Sequence, residues 1–399
     1  MPGPDAMPGP DAVAGPDPAS RRAAGRPGPS AGTGAVDGRG GVTDARGREA
    51  ADGEDGSDGP GAAQAAALVR AAAPHATAVT LAVTRGDRTA VHCHGRTAVD
   101  GEPCTPDTVF ELGSVTKTFT ALLLAVMAER GELALDDPME RHLPPNWRAP
   151  EVRRGGPIRL LHLATHTSGL PRLPPGLLAT ALPDWTANPY AGYDERLLRA
   201  GLARTTVRHR PGERYGYSNF GVGLLGRLLA ETGRTGYAEL LADRVSLPLG
   251  LRATTCSPDA PHRATGHRRG HPLPPWRIPG LPGAGAVRAS GTDLLHFLRA
   301  HLAPDTDTLG RALREVRRPR LRLPRSADRL GLVWNCRTTA DGRDLLFHSG
   351  ATRGFTALVG FCPQTATAVA ALTNTGPSLD GRFVQAAYDS LKQLAEPTG

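Results

Sequence analysis

The sequence predicts an α+β fold: one mixed sheet closed by strands from both ends of the chain, with a helical insertion between them. Three observations point there. From residue 76 to about 99, β-branched residues alternate with polar ones. Four more strand-like runs fall between residues 330 and 372. From residue 158 to about 249 the pattern is mostly helical instead.

Residues 1 to about 60 are a different material from the rest. Gly, Pro, Ala and Asp dominate them, and the first aromatic residue of the chain is Phe110. Such a segment cannot bury enough apolar surface to offset its ordering entropy, so it reads as a disordered arm. It carries ten acidic and six basic residues, a net −4; with +8 for the whole chain, the remainder carries +12. No basic start is followed by an apolar run, so no export signal is read, and Met7 opens onto the same kind of sequence. No stretch of eighteen apolar residues occurs, so no membrane span is expected and the sequence reads as cytoplasmic. Residues 61–399 then form one large domain, its sheet part at about 61–115 and 286–399 and its helical part at about 116–285. Five cysteines without paired spacing read as free thiols.

Taken in order, the Ala-rich stretch 61–73 reads as a leading helix. Residues 76–99 form a hairpin around Arg85-Gly86-Asp87. The stretch Phe110-Glu-Leu-Gly-Ser-Val-Thr-Lys-Thr-Phe-Thr120 opens a long amphipathic helix, with Val115, Phe119, Leu122, Leu123, Val126 and Met127 on one face. Gly131 supplies its stop. Residues 136–138 end the next turn. Residues 160–166 and 220–231 read as helices, the second closing at Gly233. Pro and Gly crowd residues 272–285, which read as a loop. Residues 293–302 are helical again. Strands follow at 330–336, 344–348, 356–361 and 366–372, then a last helix at 382–394.

The chemistry starts at the long helix. Ser114 stands three residues before Lys117, so both lie on one side of its first turn. The helix's positive end sits beneath the serine, where an alkoxide or oxyanion is stabilised. Two lysines, Lys117 and Lys392, stand against forty-five arginines. A desolvated ammonium can shed its proton and a guanidinium cannot, so a lysine kept in such a chain points to lysine's own chemistry. The bare tetrapeptide would also suit a surface lysine near a helix start. Two further motifs add to it. In Pro211-Gly-Glu-Arg-Tyr-Gly-Tyr217-Ser218-Asn219, Tyr217 suits a proton relay and the Asn219 amide suits a substrate carbonyl or a lysine. In isolation, Ser218 or Asn219 reads as a helix N-cap. In Phe347-His348-Ser349-Gly350-Ala351, a strand runs into a loop, and the glycine lets a substrate backbone approach. Alone, that too reads as a strand-terminal turn.

In this order, Ser-x-x-Lys, Tyr-Ser-Asn and His-Ser-Gly resemble the serine β-lactamase and penicillin-binding-protein superfamily. The resemblance is closest to the branch with class C β-lactamases, D-alanyl-D-alanine carboxypeptidases, D-aminopeptidases and β-lactamase-like esterases. Leu161-His-Leu-Ala-Thr-His-Thr-Ser-Gly-Leu170, residues 211–226, Pro248-Leu-Gly-Leu251 and Pro282-Gly-Ala-Gly285 extend it, so that it covers about 76–394. It implies a mainly antiparallel sheet flanked by helices plus a helical domain, with the site between them. It also implies an acyl-enzyme mechanism. Ser114 would be the nucleophile, Lys117 its activating base and Tyr217 the proton carrier. The N–H groups of Ser114 and Ala351 would form the oxyanion hole. Asn219, His348, Ser349 and Gly350 would bind and align the substrate. The third motif departs from the Lys-Thr-Gly of class C β-lactamases. A histidine there resembles the carboxypeptidase and D-aminopeptidase members more, and implies a weaker, pH-dependent hold on a carboxylate.

The resulting expectation is a cofactor-free serine hydrolase or acyltransferase. Its substrate would be a small ester, a D-amino-acid amide or peptide, or a β-lactam-like acyl donor. A metabolic transacylase serving an amine or alcohol, and a non-catalytic binder or sensor on the same scaffold, are the alternatives. No metal is expected: His92 and His94 read as a surface pair, and His162 and His166 lack the glutamate of a zinc-binding helix. No Gly-x-Ser-x-Gly elbow occurs. The basic run 314–325 has no aromatic residues and reads as a solvated arginine-rich loop or face, so no nucleic-acid partner is expected. Oligomeric state is not legible.

Overall fold

The two ends of the chain meet in one eight-stranded sheet. The structure, a computed structural model, describes residues 59–182, 184–324 and 326–397. The expected disordered arm lies outside the described residues, apart from its last two positions. The hairpin Ala78–Arg85 and Arg88–Gly95 forms one edge of the sheet; Thr367–Thr373, Thr356–Cys362, Asp344–Ala351 and Asn335–Thr338 follow, with two short strands beyond. Every pairing in this sheet is antiparallel, as the family resemblance implied, although element order alone suggested a mixed sheet. Successive strands near the C-terminus are joined by short turns, and a short turn reverses the chain.

Both faces of the sheet are covered. Along the first strand, Val79, Leu81 and Val83 enter one core while Ala78 and Ala82 enter the other. That is the two-residue period of a strand buried on both sides. The helices Ala62–Ala72 and Arg382–Leu394 pack on each other and close one face. Gly291–Leu302 lies on the opposite face, and Thr308–Arg317 packs against it and against the site helix, Thr116–Glu129.

The site helix is buried from Thr116 to Met127, not along one stripe. Its threonines are accommodated because their hydroxyls find carbonyls: Thr118 donates to Val115 at 2.8 Å and Thr120 to Gly283 at 2.7 Å. Gly131, at φ 71°, ends it as expected. The helix Asn219–Gly233 ends differently. Arg234, at φ 54°, takes the left-handed position, and Gly233 is small because a Cβ there would run into Leu240.

Other boundaries also moved. The strand expected at 330–336 breaks into Arg329–Leu330 and Asn335–Thr338. Between them Val333 takes φ 69°, a left-handed backbone that no strand accommodates, and its N–H leaves the sheet for the Ala164 carbonyl. The loop expected at 272–285 ends in a short helix, Pro282–Gly285, against the site helix. The basic run is not simply a solvated loop. Arg314 and Arg317 belong to the helix Thr308–Arg317; Arg317 donates to the carbonyl of His301, in the last turn of the preceding helix, and Arg314 to those of Pro304 and Asp305 just after it. The five cysteines carry no disulfide. His92 faces the Pro60 carbonyl at 3.0 Å.

Candidate active site

Two glycines set the position of Ser114. It occupies a 3-10 turn, Gly113–Val115, directly ahead of the site helix. Gly113 has φ 52°, and a Cβ on it would strike the Ala351 backbone. Across the gap, a Cβ on Gly350 would strike the carbonyl of Leu112 and the N–H of Ser114. The strand Asp344–Ala351 therefore lies against the turn that carries the serine. Its pairing with Asn335–Thr338 stops at Phe347, while residues 348–351 continue the ladder with residues 356–359 on the other side.

Ser114 Oγ is the meeting point of two side chains from distant parts of the chain. Lys117 Nζ donates to it at 2.8 Å and the Tyr217 hydroxyl at 2.9 Å. Lys117 is fully buried, and its Nζ also donates to the Ala284 carbonyl at 3.0 Å. That carbonyl belongs to the short helix the sequence did not reveal. Lys117 Nζ lies 5.0 Å from the centre of the Tyr217 ring, and the Arg172 guanidinium lies 5.2 Å from it. His166, at φ 56°, lies tilted against the same ring, with centres 4.4 Å apart, and accepts the Ser218 N–H at Nδ1.

Ser218 is the N-cap of the following helix, as its isolated reading suggested; its Oγ accepts from Gly221 at 2.8 Å. Asn219, at the first helical position, lines the cleft. Its Nδ2 donates to the Tyr190 hydroxyl at 3.1 Å, while its Oδ1 is buried with no hydrogen-bond partner among the described residues. Ser114, Ala351 and Asn219 thus border one cleft of about 500 Å³. His348 is buried, with Nδ1 3.2 Å from the Val333 carbonyl, and Ser349 is half-buried within the ladder.

One residue inside the first motif went without a role in the sequence. Glu111, three residues before Ser114, is buried and ties both walls of the cleft to the strand leading into the serine. Its carboxylate accepts the Trp276 N–H at 2.6 Å and the Thr352 hydroxyl at 2.8 Å, and faces Arg288 at 3.6 Å. Burial raises its pKa, and Arg288 and the Trp276 N–H pull it back. An acidic residue between Phe110 and Leu112 in a strand was the available signal.

The fold and the Ser-x-x-Lys turn define a protein of the serine β-lactamase and penicillin-binding-protein superfamily, the acyl-enzyme serine hydrolases. A family model described as Beta-lactamase matches residues 54–393, and the chain belongs to that family. Among its relatives, the D-alanyl-D-alanine-carboxypeptidase/endopeptidase AmpH of Escherichia coli K12 is 29% identical over 306 residues, covering 72% of this chain and 77% of AmpH. A β-lactamase of Yersinia enterocolitica is 27% identical, over 74% of this chain and 80% of its own. The fold is similar to that of a class C β-lactamase of Rhodobacter sphaeroides, with TM-score 0.68 and 26% identity, over 84% of this chain and 99% of the other. It is also similar to a β-lactamase/D-alanine carboxypeptidase of Yersinia pestis, with TM-score 0.70 and 22% identity, over 83% and 96% of the two chains. Among the described residues, no helix is long and apolar enough to cross a membrane.

Proposed function

We propose that the protein breaks esters, or amides and lactams that behave like them, through a covalent acyl group on Ser114. The observation that carries this is the convergence of Lys117 Nζ and the Tyr217 hydroxyl on one serine oxygen. Lys117 Nζ, 2.8 Å from that oxygen, is the group placed to take the serine proton, directly or through Tyr217. Ser114 Oγ then bonds to the substrate carbonyl carbon, whose oxygen takes the negative charge. The N–H groups of Ser114 and Ala351 are the donors assigned to that charge. Tyr217 passes the proton to the leaving alcohol or amine, and the carbon–leaving-group bond breaks. Water deprotonated by the same pair attacks the acyl-enzyme, and the serine leaves with the proton returned to it. Asn219 and the strand residues 348–351, beyond the point where the ladder to Asn335–Thr338 ends, are assigned to align the substrate. If an amine or alcohol reaches the acyl-enzyme before water, the same steps give acyl transfer.

Intact-mass measurement after incubation with an activated ester or a penicillin tests this. The expected result is a single acyl adduct, absent in Ser114→Ala. Lys117→Arg keeps a cation but removes the base, so turnover is expected to fall by about 10²–10⁴. Absence of an adduct with every acyl donor would favour a non-catalytic binder on this scaffold.

A further inference from the structure

The cleft beyond Ser114 is lined by Arg268, Arg269, Arg353 and Arg382, and by no aspartate or glutamate. A cluster of like charges raises the energy of the folded state unless a counter-charge joins it. Inside the protein two of these cations have found carbonyls instead. Arg353 donates to the Trp185 carbonyl at 2.9 Å, and Arg268 donates to that of Thr186 at 2.9 Å. Neither these two nor Arg269 has a carboxylate within ion-pairing distance among the described residues. Arg382 alone faces one, Asp380 at 3.7 Å. Arg353 also stacks on Trp185, at 5.5 Å, and its Nε is buried without a hydrogen-bond partner among the described residues. Burial, and then the neighbouring Arg268, lower its pKa, so the two guanidiniums share one electrostatic field. A guanidinium stays charged through such shifts.

The location matters as much as the charge. Arg353 is two residues past Ala351, so their Cα atoms lie within about 7 Å of each other. We infer that this arm of the cleft is an anion subsite, in which Arg353, Arg268 and Arg269 hold a carboxylate on the substrate a few atoms from its reacting carbonyl. The same charges repel a substrate with an ammonium at that distance, which sets donors with a free amine apart from anionic ones. The inference rests on the acyl-enzyme reading only for where the reacting carbonyl sits.

Matched p-nitrophenyl esters test it: glutarate half-ester, neutral valerate and cationic γ-aminobutyrate. The glutarate ester is expected to exceed the valerate in kcat/KM by about tenfold, with the aminobutyrate below both, and added salt should shrink the advantage. Replacing Arg268 and Arg353 together by Gln should bring the glutarate-to-valerate ratio towards one. Arg269→Gln, at an exposed position, should lower it in part even if the double variant fails to fold. Equal kcat/KM for glutarate and valerate in the wild type, or preference for the aminobutyrate, overturns the subsite. Calorimetric titration of Ser114→Ala with monomethyl glutarate and methyl valerate separates the two ideas. Tighter binding of the glutarate supports the arginines and equal affinity refutes them. No hydrolysis of any ester would sink the acyl-enzyme reading alone.

Discussion

Ser114, Lys117 and Tyr217 could be named from the sequence because each motif restricts residue type: a hydroxyl, an amine able to lose its proton, a phenol. Their convergence within 2.9 Å rests on the fold, since 103 residues separate Ser114 from Tyr217. Glu111 is the contrasting case. Its neighbours Phe110 and Leu112 gave a strand but nothing about Trp276, Arg288 or Thr352, which lie far along the chain. Its removal should be costly. Glu111→Ala leaves Arg288 buried opposite an empty site, and breaking such a pair typically costs about 3–5 kcal/mol. Denaturant unfolding checks this. Glu111→Gln, which keeps an acceptor for the Trp276 N–H, should lose clearly less. Equal stability of the Ala variant and the wild type would remove Glu111 as the brace between the cleft walls.

Among elements, periodicity located most helices and strands and missed where the chain turns inward. Residues 331–334 are apolar and strand-like in composition, yet tertiary packing buries Leu332, Val333 and Trp334 together. Trp334 there meets His301, on the helix Gly291–Leu302, with ring centres 5.2 Å apart. His301 is fully buried among Phe297, Trp334 and Phe361, and burial lowers its pKa from 6.5 to about 4. This helix gives the fold a pH dependence. Between about 6.5 and 4 the unfolded chain binds a proton at this imidazole and the folded chain does not. Stability is therefore present in full above 6.5 and falls as pH drops through that window, by about 3 kcal/mol in total. Urea midpoints at pH 7.5 and 4.5 should differ less in His301→Leu than in the wild type. An unchanged difference would assign the acid sensitivity to other groups.

For the whole molecule, the sheet separates two cores, one under the helices Ala62–Ala72 and Arg382–Leu394 and one holding the site helix. Tyr388 belongs to the first, buried and edge-on to Phe347 at 5.1 Å. Tyr388→Ala should destabilise the protein by about 3–5 kcal/mol through the cavity it leaves. Ester turnover per folded molecule, measured well below the melting temperature, should stay at the wild-type value, because the change lies across the sheet from Ser114. A proportionate loss of turnover would show that the two cores are coupled.

The sequence by itself determined the α+β order, the helices with strong apolar periodicity and the three short motifs that carry the family resemblance. Those are local properties: residue type, spacing and the conformational freedom of a glycine. Tertiary structure decided the strand order and register, the helix at Pro282–Gly285 that gives Lys117 a carbonyl, the brace at Glu111 and the arginines of the cleft. Each depends on residues tens to hundreds of positions apart. Their meeting follows from burying one shared core, and no local pattern records which distant segments that core brings together.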